Sequence, residues 1–208
     1  MARGKYVVIE GHDGTGKSTQ VGLLRDRLSE QGVGSIEFHE PQGTPIADAI
    51  RTVIKNGSLP REPETNLLLF TAARHEIWKQ AEAMLEQGIW VVAARNYYST
   101  LAYQGYGEGL DLGLIASVTE QFTNKRYMNP DHALILTLDD HGERQNRIGK
   151  RGEIAHPDTF ESRDKTFQNA VGSAYLTIAK ERGLPCIDAN RPVADIADEI
   201  FSLVTVED

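Results

Sequence analysis

Gly11, Gly16, Lys17 and Ser18 stand in the order G-x-x-x-x-G-K-S, and that spacing suits one kind of chemistry, the holding of nucleotide phosphates. Glycines let the chain turn tightly enough for successive N–H groups to converge on phosphate oxygens. The loop Gly11-His12-Asp13-Gly14-Thr15-Gly16-Lys17-Ser18-Thr19 is therefore the expected binding site for a nucleoside triphosphate. Lys17 is the cation expected at the β- and γ-phosphates, which makes it the first catalytic candidate, and the Ser18 hydroxyl is the expected ligand of Mg²⁺. The context agrees. Tyr6 to Ile9 is a short apolar run of the kind a buried parallel strand needs. From Thr19 onward Val21, Leu24 and Leu28 recur at helical spacing. A helix starting there also turns its N-terminus, and the positive end of its dipole, toward the bound anion.

The bulk properties set bounds on what surrounds this loop. The chain has 208 residues, 40% of them hydrophobic and 25% charged, which suits one soluble domain with a single substantial core. A formal net charge of −8 argues against a general nucleic-acid binder, so cations that meet anionic ligands must be gathered locally in a cleft. The single cysteine, Cys186, excludes an intrachain disulfide, and its apolar neighbours predict a place in a core strand. No apolar run approaches a membrane span, and Met1-Ala2-Arg3-Gly4 leads straight into the first strand without a signal-peptide core. A cytoplasmic protein that does not associate with membranes is expected.

Downstream, strands and helices alternate. Ser35 to His39 reads as a second strand, and Thr44-Pro45 as an N-cap with proline at the first helical position. The helix that follows is expected to bury Ile46, Ile50, Val53 and Ile54, and a long helix is expected to run through Leu67–Phe70 to Glu86. Ile89 to Ala94 is a continuous apolar run and hence a central strand. The Tyr- and Gly-rich stretch from Arg95 to Gly109 reads as a loop, and Asp111 to Lys125 as an amphipathic helix. Further strands are expected at Ala133 to Leu138 and Pro185 to Asp188, with helices at about Thr159 to Arg182 and Val193 to Val204. The pattern predicts an α/β fold: a doubly wound parallel five-stranded sheet with helices on both faces, of the P-loop type. Ligands of such sheets sit beyond the carboxyl ends of the strands. That places Glu10 to Ser18, His39 to Thr44, Ala94 to Gly105 and the residues from Asp139 onward around one cleft.

Arg51, Arg74 and Arg95 fall near a second phosphate position in that cleft, where a planar guanidinium can hold a monophosphate by two parallel bonds. Each could instead be an arginine paired with a surface carboxylate. The polar segment from about residue 142 to 158 carries Arg144, Arg147, Lys150 and Arg151 between glycines. Basic runs are commonly solvated faces, but one that follows a strand end suits a mobile flap over a nucleotide.

The order of these motifs resembles that of the thymidylate kinase family, nearly end to end. Glu10-Gly11-His12-Asp13-Gly14-Thr15-Gly16-Lys17-Ser18-Thr19 is similar to E-G-x-D-G-x-G-K-S-T, and Glu40-Pro41-Gln42-Gly43-Thr44 with Ile50-Arg51 to R-E-P-G-G-T…I-R. Phe70-Thr71-Ala72-Ala73-Arg74 resembles F-x-A-x-R, and Arg95 with Ser99-Thr100-Leu101-Ala102-Tyr103-Gln104-Gly105 resembles D-R-Y-x-x-S-x-x-A-Y-Q-G. Arg147 to Gly152 resembles the arginine-rich lid, and Phe167, Val171 and Ala174-Tyr175-Leu176 the helix after it. The resemblance implies transfer of the γ-phosphoryl of ATP to dTMP with Mg²⁺, by a homodimeric kinase of the nucleoside-monophosphate type. It implies that Pro41, Arg51 and Arg95 surround the monophosphate and that Phe70 stacks on thymine. Arg74 would meet a base carbonyl, with Thr100 and Gln104 at the remaining base edge, Tyr103 crowding the ribose 2′ position and Asp13 accepting from the 3′-hydroxyl. In one branch of the family a loop arginine stabilises the transferred phosphoryl. Gly14 stands at that position here, so the resemblance assigns the catalytic cations, beside Lys17 and Arg95, to Arg147 and Arg151.

Three positions depart from the family pattern. His39 replaces an arginine, Gln42 a glycine, and Ala94 the acid of D-R-Y, which assists Mg²⁺ in the manner of a Walker-B aspartate. Glu10 or Asp139 could serve in its place. Gln42 leaves open a related deoxyuridylate as substrate, and Ala94 leaves open a weakly active regulatory nucleotide binder.

Overall fold

The computed structural model describes residues 2–138, 141–149 and 159–206, apart from the side chains of His141 and Gln145. Five strands, β1 (Tyr6–Gly11), β2 (Ser35–His39), β3 (Trp90–Ala94), β4 (His132–Thr137) and β5 (Cys186–Asp188), form one sheet in the order β2-β3-β1-β4-β5. Every pairing is parallel, with Ile9 opposite Ala94 and Leu134, and Ala94 opposite His39. The expected doubly wound sheet is therefore present.

The central strands read as unbroken apolar runs because both of their faces are covered. Tyr6 and Val8 of β1 point to one side with Val91, Ala93 and Ile135. They pack there on α3 (Pro63–Glu86) through Ala73, Ile77, Ala81 and Leu85, and on α8 (Lys165–Arg182) through Val171, Ala174 and Ile178. Val7 and Ile9 point to the other side with Val92 and Leu134, against Val21, Leu24 and Leu28 of α1 (Lys17–Glu30) and Ile196, Ile200 and Val204 of α9 (Val193–Thr205). Fully burying one such side chain contributes about 1.5–3 kcal/mol, so the alternation along β1 holds the phosphate loop to both layers at once. No described helix is long and apolar enough to cross a membrane.

Helix α2 (Pro45–Lys55) begins as expected, with Thr44 Oγ1 accepting from Ala47 N at 3.1 Å and Pro45 in the first turn. Its buried residues are Ala47 and Ile54, however, while Ile46 and Val53 are exposed. The apolar pattern of α2 is wider than the stripe that α3 covers. Cys186 is also exposed, because β5 is an edge strand and Ile187 takes the inward position. The helix expected from Thr159 starts at Lys165, where Asp164 accepts from Phe167 N at 2.8 Å and caps it.

The largest departure is the stretch expected as a loop. Residues Tyr97–Thr100 form α4, which continues as a π-helical segment over Leu101–Gly107. Glycine is needed there for close approach to neighbouring helices. A Cβ on Gly105 would lie 2.4 Å from Leu112 Cδ2, and one on Gly107 2.6 Å from Phe167 Cε2. The wide turn brings Tyr103 and Gln104 to the same side of the segment, facing the cleft. The amphipathic stretch that follows divides into α5 (Leu112–Phe122) and the short α6 (Lys125–Met128), with Asn124 capping the second. Helix α7 (His141–Gly149) occupies the first part of the expected flap, and the remainder of that flap lies outside the described residues.

Candidate active site

Beyond the carboxyl ends of β1, β2 and β3 lies a cavity of about 360 Å³. Asp13, Lys17, Ser18, Pro41, Arg51, Phe70, Arg74, Arg95, Thr100, Tyr103 and Gln104 all line it, so the fold gathers eleven of the candidates named from the sequence. Ala94, His39 and Gln42, the three departures, line it as well.

At one end is the phosphate loop. Lys17 is buried, and its Nζ donates to the carbonyls of Gly11 at 2.9 Å and His12 at 2.8 Å. Thr15 Oγ1 donates to His12 O at 2.9 Å and holds the turn closed. Ser18 and Thr19 are exposed at the start of α1. Gly14 has φ 85, and a Cβ there would lie 2.7 Å from Arg144 Cγ and 2.9 Å from Arg144 O. A glycine at this position thus lets α7 close on the loop.

That contact changes the reading of the basic run. Arg144 is buried against the phosphate loop. Arg147 instead pairs with Glu143 at 2.7 Å and donates to Ala189 O at 3.1 Å, beside the end of β5. In this arrangement Arg144 is nearer the loop than the expected Arg147 is. Lys150, Arg151 and Asp139 lie outside the described residues.

Arg95 is the one non-glycine residue with positive φ among the described residues, at 75°. Such a conformation costs about 1–3 kcal/mol and persists where surrounding contacts over-determine it. Here its guanidinium donates to Asp13 Oδ1 at 2.6 Å, Ser99 Oγ at 2.9 Å and Tyr175 OH at 3.0 Å. Tyr103 OH donates to Asp13 Oδ2 at 2.6 Å. Burial alone would raise the Asp13 carboxyl, but Arg95, then Lys17 and the Tyr103 hydroxyl, outweigh it and hold the group well below the usual carboxylate range.

At the other end, Phe70 is half-buried with its ring 6.0 Å from Phe160, and the Arg74 guanidinium lies over it at 5.0 Å. Arg74 is itself buried. It donates to Glu40 Oε2 at 2.8 Å, Thr100 Oγ1 at 2.5 Å and Asn96 O at 2.8 Å. Tyr127 OH donates to the same Glu40 oxygen at 2.7 Å. Arg51 is half-buried and makes no hydrogen bond or ion pair among the described residues.

Glu10, expected from the sequence only as a stand-in for the acid missing at Ala94, shapes the site in another way. Glu10 is fully buried; its carboxylate accepts from Asn96 N at 2.8 Å, Ser99 N at 3.0 Å, Ser99 Oγ at 2.8 and 3.1 Å, and Tyr175 OH at 3.1 Å. Those bonds commit Glu10 to holding the turn after β3, which leaves it poorly placed to replace an acid at Ala94. The available signal was an acid inside an otherwise apolar strand. Ala94 ends β3 directly beside Ile9 of β1.

A parallel doubly wound sheet, a phosphate loop after β1 and a second cationic pocket beside it define a P-loop kinase of the nucleoside-monophosphate class. A family model described as thymidylate kinase matches residues 9–200. The thymidylate kinase of Carboxydothermus hydrogenoformans is 34% identical over 95% of this chain and 95% of its own length. That of Deinococcus radiodurans is 33% identical over 99% of this chain and 98% of its own. The crystal structure of thymidylate kinase from Ehrlichia chaffeensis superposes with a TM-score of 0.75 at 27% identity, covering 98% of this chain and 99% of that one. The chain belongs to the thymidylate kinase family and is an ATP-dependent nucleoside-monophosphate kinase. Neither the deoxyuridylate rival nor the weakly active regulatory rival finds support in these likenesses.

His12 gives the site a pH signature. Burial pushes its imidazole down to about 3; Asp13 opposes the shift, and Arg144, Arg95 and Lys17 add to it. The folded protein therefore keeps His12 neutral, while the unfolded chain protonates it below about pH 6.5. Its stabilising share is complete above that pH and is lost as pH falls toward about 3. The His12→Gln variant should consequently lose about 2 kcal/mol less stability than the parent between pH 7 and 5. Urea unfolding at the two pH values measures the difference, and equal losses would remove His12 as the titrating group.

Proposed function

We propose that this chain transfers the γ-phosphoryl group of ATP to dTMP, with Mg²⁺ carried by the nucleotide. The observation that supports this most is a single cavity with the phosphate loop at one end and the Phe70–Arg74 pair at the other. The loop would take the ATP phosphates on the N–H groups from His12 to Thr19, with Lys17 at the β- and γ-phosphates. Arg95 and Arg51, with Pro41 shaping the turn, would hold the dTMP phosphate. Phe70 would stack on the base, Arg74, Thr100 and Gln104 would meet its edge, and Asp13 and Tyr103 would sit at the sugar. Arg147 and Arg151 remain candidates for the cation that neutralises charge on the transferred group, and Arg144 joins them from its contact with Gly14.

The residues fit a nucleotide-borne Mg²⁺. That ion keeps most of its waters and takes one or two protein oxygens beside the phosphates, and Ser18 offers an exposed hydroxyl on the cavity wall. When bound, the ion would supply positive charge to offset that of the phosphates, with Ser18 as the residue that would hold it. Among the described residues no cluster of three acids, histidines or cysteines competes for such a cation. We also propose a cytoplasmic location, and a homodimer joined through α2 and α3 because Ile46 and Leu68 are 56% and 60% exposed on these packed helices and Val53 is exposed too.

Lys17→Ala should lower turnover at least about a hundredfold in a coupled ATP–dTMP assay, with unchanged circular dichroism. Activity within tenfold of the parent would remove Lys17 from its assigned role, and a parent that prefers dUMP, UMP or dCMP would overturn the substrate.

Ala94→Asp places a carboxylate beside β1 on the cavity wall that Ser18 shares. If no acid among the described residues serves the metal-bound water, turnover should rise severalfold and the Mg²⁺ needed for half-maximal rate should fall. The added buried charge should lower the melting temperature, less so with Mg·ATP present. A Mg²⁺ series showing neither gain nor shift would dismiss position 94 as the missing metal position.

The homodimer is checked by sedimentation. The parent should sediment as a dimer at micromolar concentration and Leu68→Glu as a monomer; a monomeric parent refutes it.

A further inference from the structure

A chain of polar side chains behind the base end of the cavity has its hydrogen-bond polarity fixed at both ends. Arg61 Nε donates to Asn66 Oδ1 at 3.0 Å. A guanidinium can only donate, so Asn66 must turn its carbonyl toward Arg61 and its amide nitrogen away. That nitrogen donates to Glu108, 3.1 Å from Oε1 and 3.3 Å from Oε2. The Glu108 side chain is 5% exposed and also receives Arg163 at 3.4 Å and Gln104 Nε2 at 3.1 Å. A carboxylate can only accept, so Gln104 must give Glu108 its NH₂ group and turn its carbonyl oxygen the other way. Gln104 is buried and lines the cavity with Phe70 and Thr100. Among the described residues no donor meets its Oε1.

We propose that Glu108 is a positioning residue for base selection: it locks the Gln104 amide so that the cavity presents a hydrogen-bond acceptor to the ring of the monophosphate. This rests on the proposal that the base lies against Phe70 and Gln104. Thymine and uracil rings carry a hydrogen on N3 and can donate to that oxygen. Cytosine carries a lone pair on N3, which faces the same oxygen without a proton between them. Discrimination then comes from an acceptor that cannot rotate, because rotation would set the Gln104 carbonyl against the Glu108 carboxylate. Glu108 sits at the far end of the π-helical turn from Tyr103 and does not itself line the cavity.

Glu108→Gln keeps the shape and removes the constraint, since an amide at 108 can offer either its oxygen or its NH₂. The ratio of kcat/KM for dTMP to that for dCMP should fall about tenfold or more, through the nucleotide KM, with the KM for ATP unchanged. Gln104→Met, which deletes the amide altogether, should lower the same ratio and serves as the second variant if Glu108→Gln folds poorly. A purely structural Glu108 would instead lower the melting temperature and reduce both nucleotides alike. A ratio preserved in a folded variant, of either kind, overturns the proposal. A parent that fails to phosphorylate dTMP at all overturns the reading of the substrate rather than the role of Glu108 within it.

Discussion

The site depends on one buried carboxylate. Glu10, next to last in the central strand, has no solvent contact, and a carboxylate in that position is costly unless its lone pairs are met. They are met by the backbone of Asn96 and Ser99 and the hydroxyls of Ser99 and Tyr175. The acid thereby ties three separate pieces together: the end of β1, the turn after β3 and the middle of α8. Arg95 lies at the start of that turn in a left-handed conformation. Its strain is tolerable because its own N–H donates to Ile9 O and the next residue, Asn96, donates to Glu10.

The charges follow a related logic. A chain of net charge −8 must still attract two phosphorylated ligands. Guanidinium groups lie near the strand ends, each tethered by a neighbouring acid, Arg95 to Asp13 and Arg74 to Glu40. Pairing keeps each cation oriented in a region of low dielectric, where an unpaired charge would be far more costly. Asp13 stays ionised for the same reason, since Arg95 outweighs the effect of its burial. Arg51 lines the same cavity wall without such a tether among the described residues.

The amino-acid sequence by itself determined the sheet, the phosphate loop and most of the cavity wall. Continuous apolar runs specify doubly covered strands because a strand buried on both sides has no polar face to show, and G-x-x-x-x-G-K-S specifies a loop whose function is in its backbone. Both are local signals. The sequence misjudged Cys186, Ile46 and Val53 because exposure depends on which neighbour covers a residue, and an edge strand or an uncovered helix stripe looks the same in the chain as a buried one.

Only the tertiary structure decided how the stretch after β3 folds and what its polar residues do. Its tyrosines and glycines suggest a loop, yet it forms a π-helical turn whose glycines fit closely against Leu112 and Phe167. That Glu10 bonds the turn after β3, and that Arg144 packs on Gly14 while Arg147 pairs with Glu143, likewise depend on distances between side chains that the chain order does not give. Hydrogen-bond polarity is the clearest case. Nothing in the chain order says which end of the Gln104 amide faces the cavity, but once Arg61, Asn66 and Glu108 are in contact, donors and acceptors admit a single arrangement.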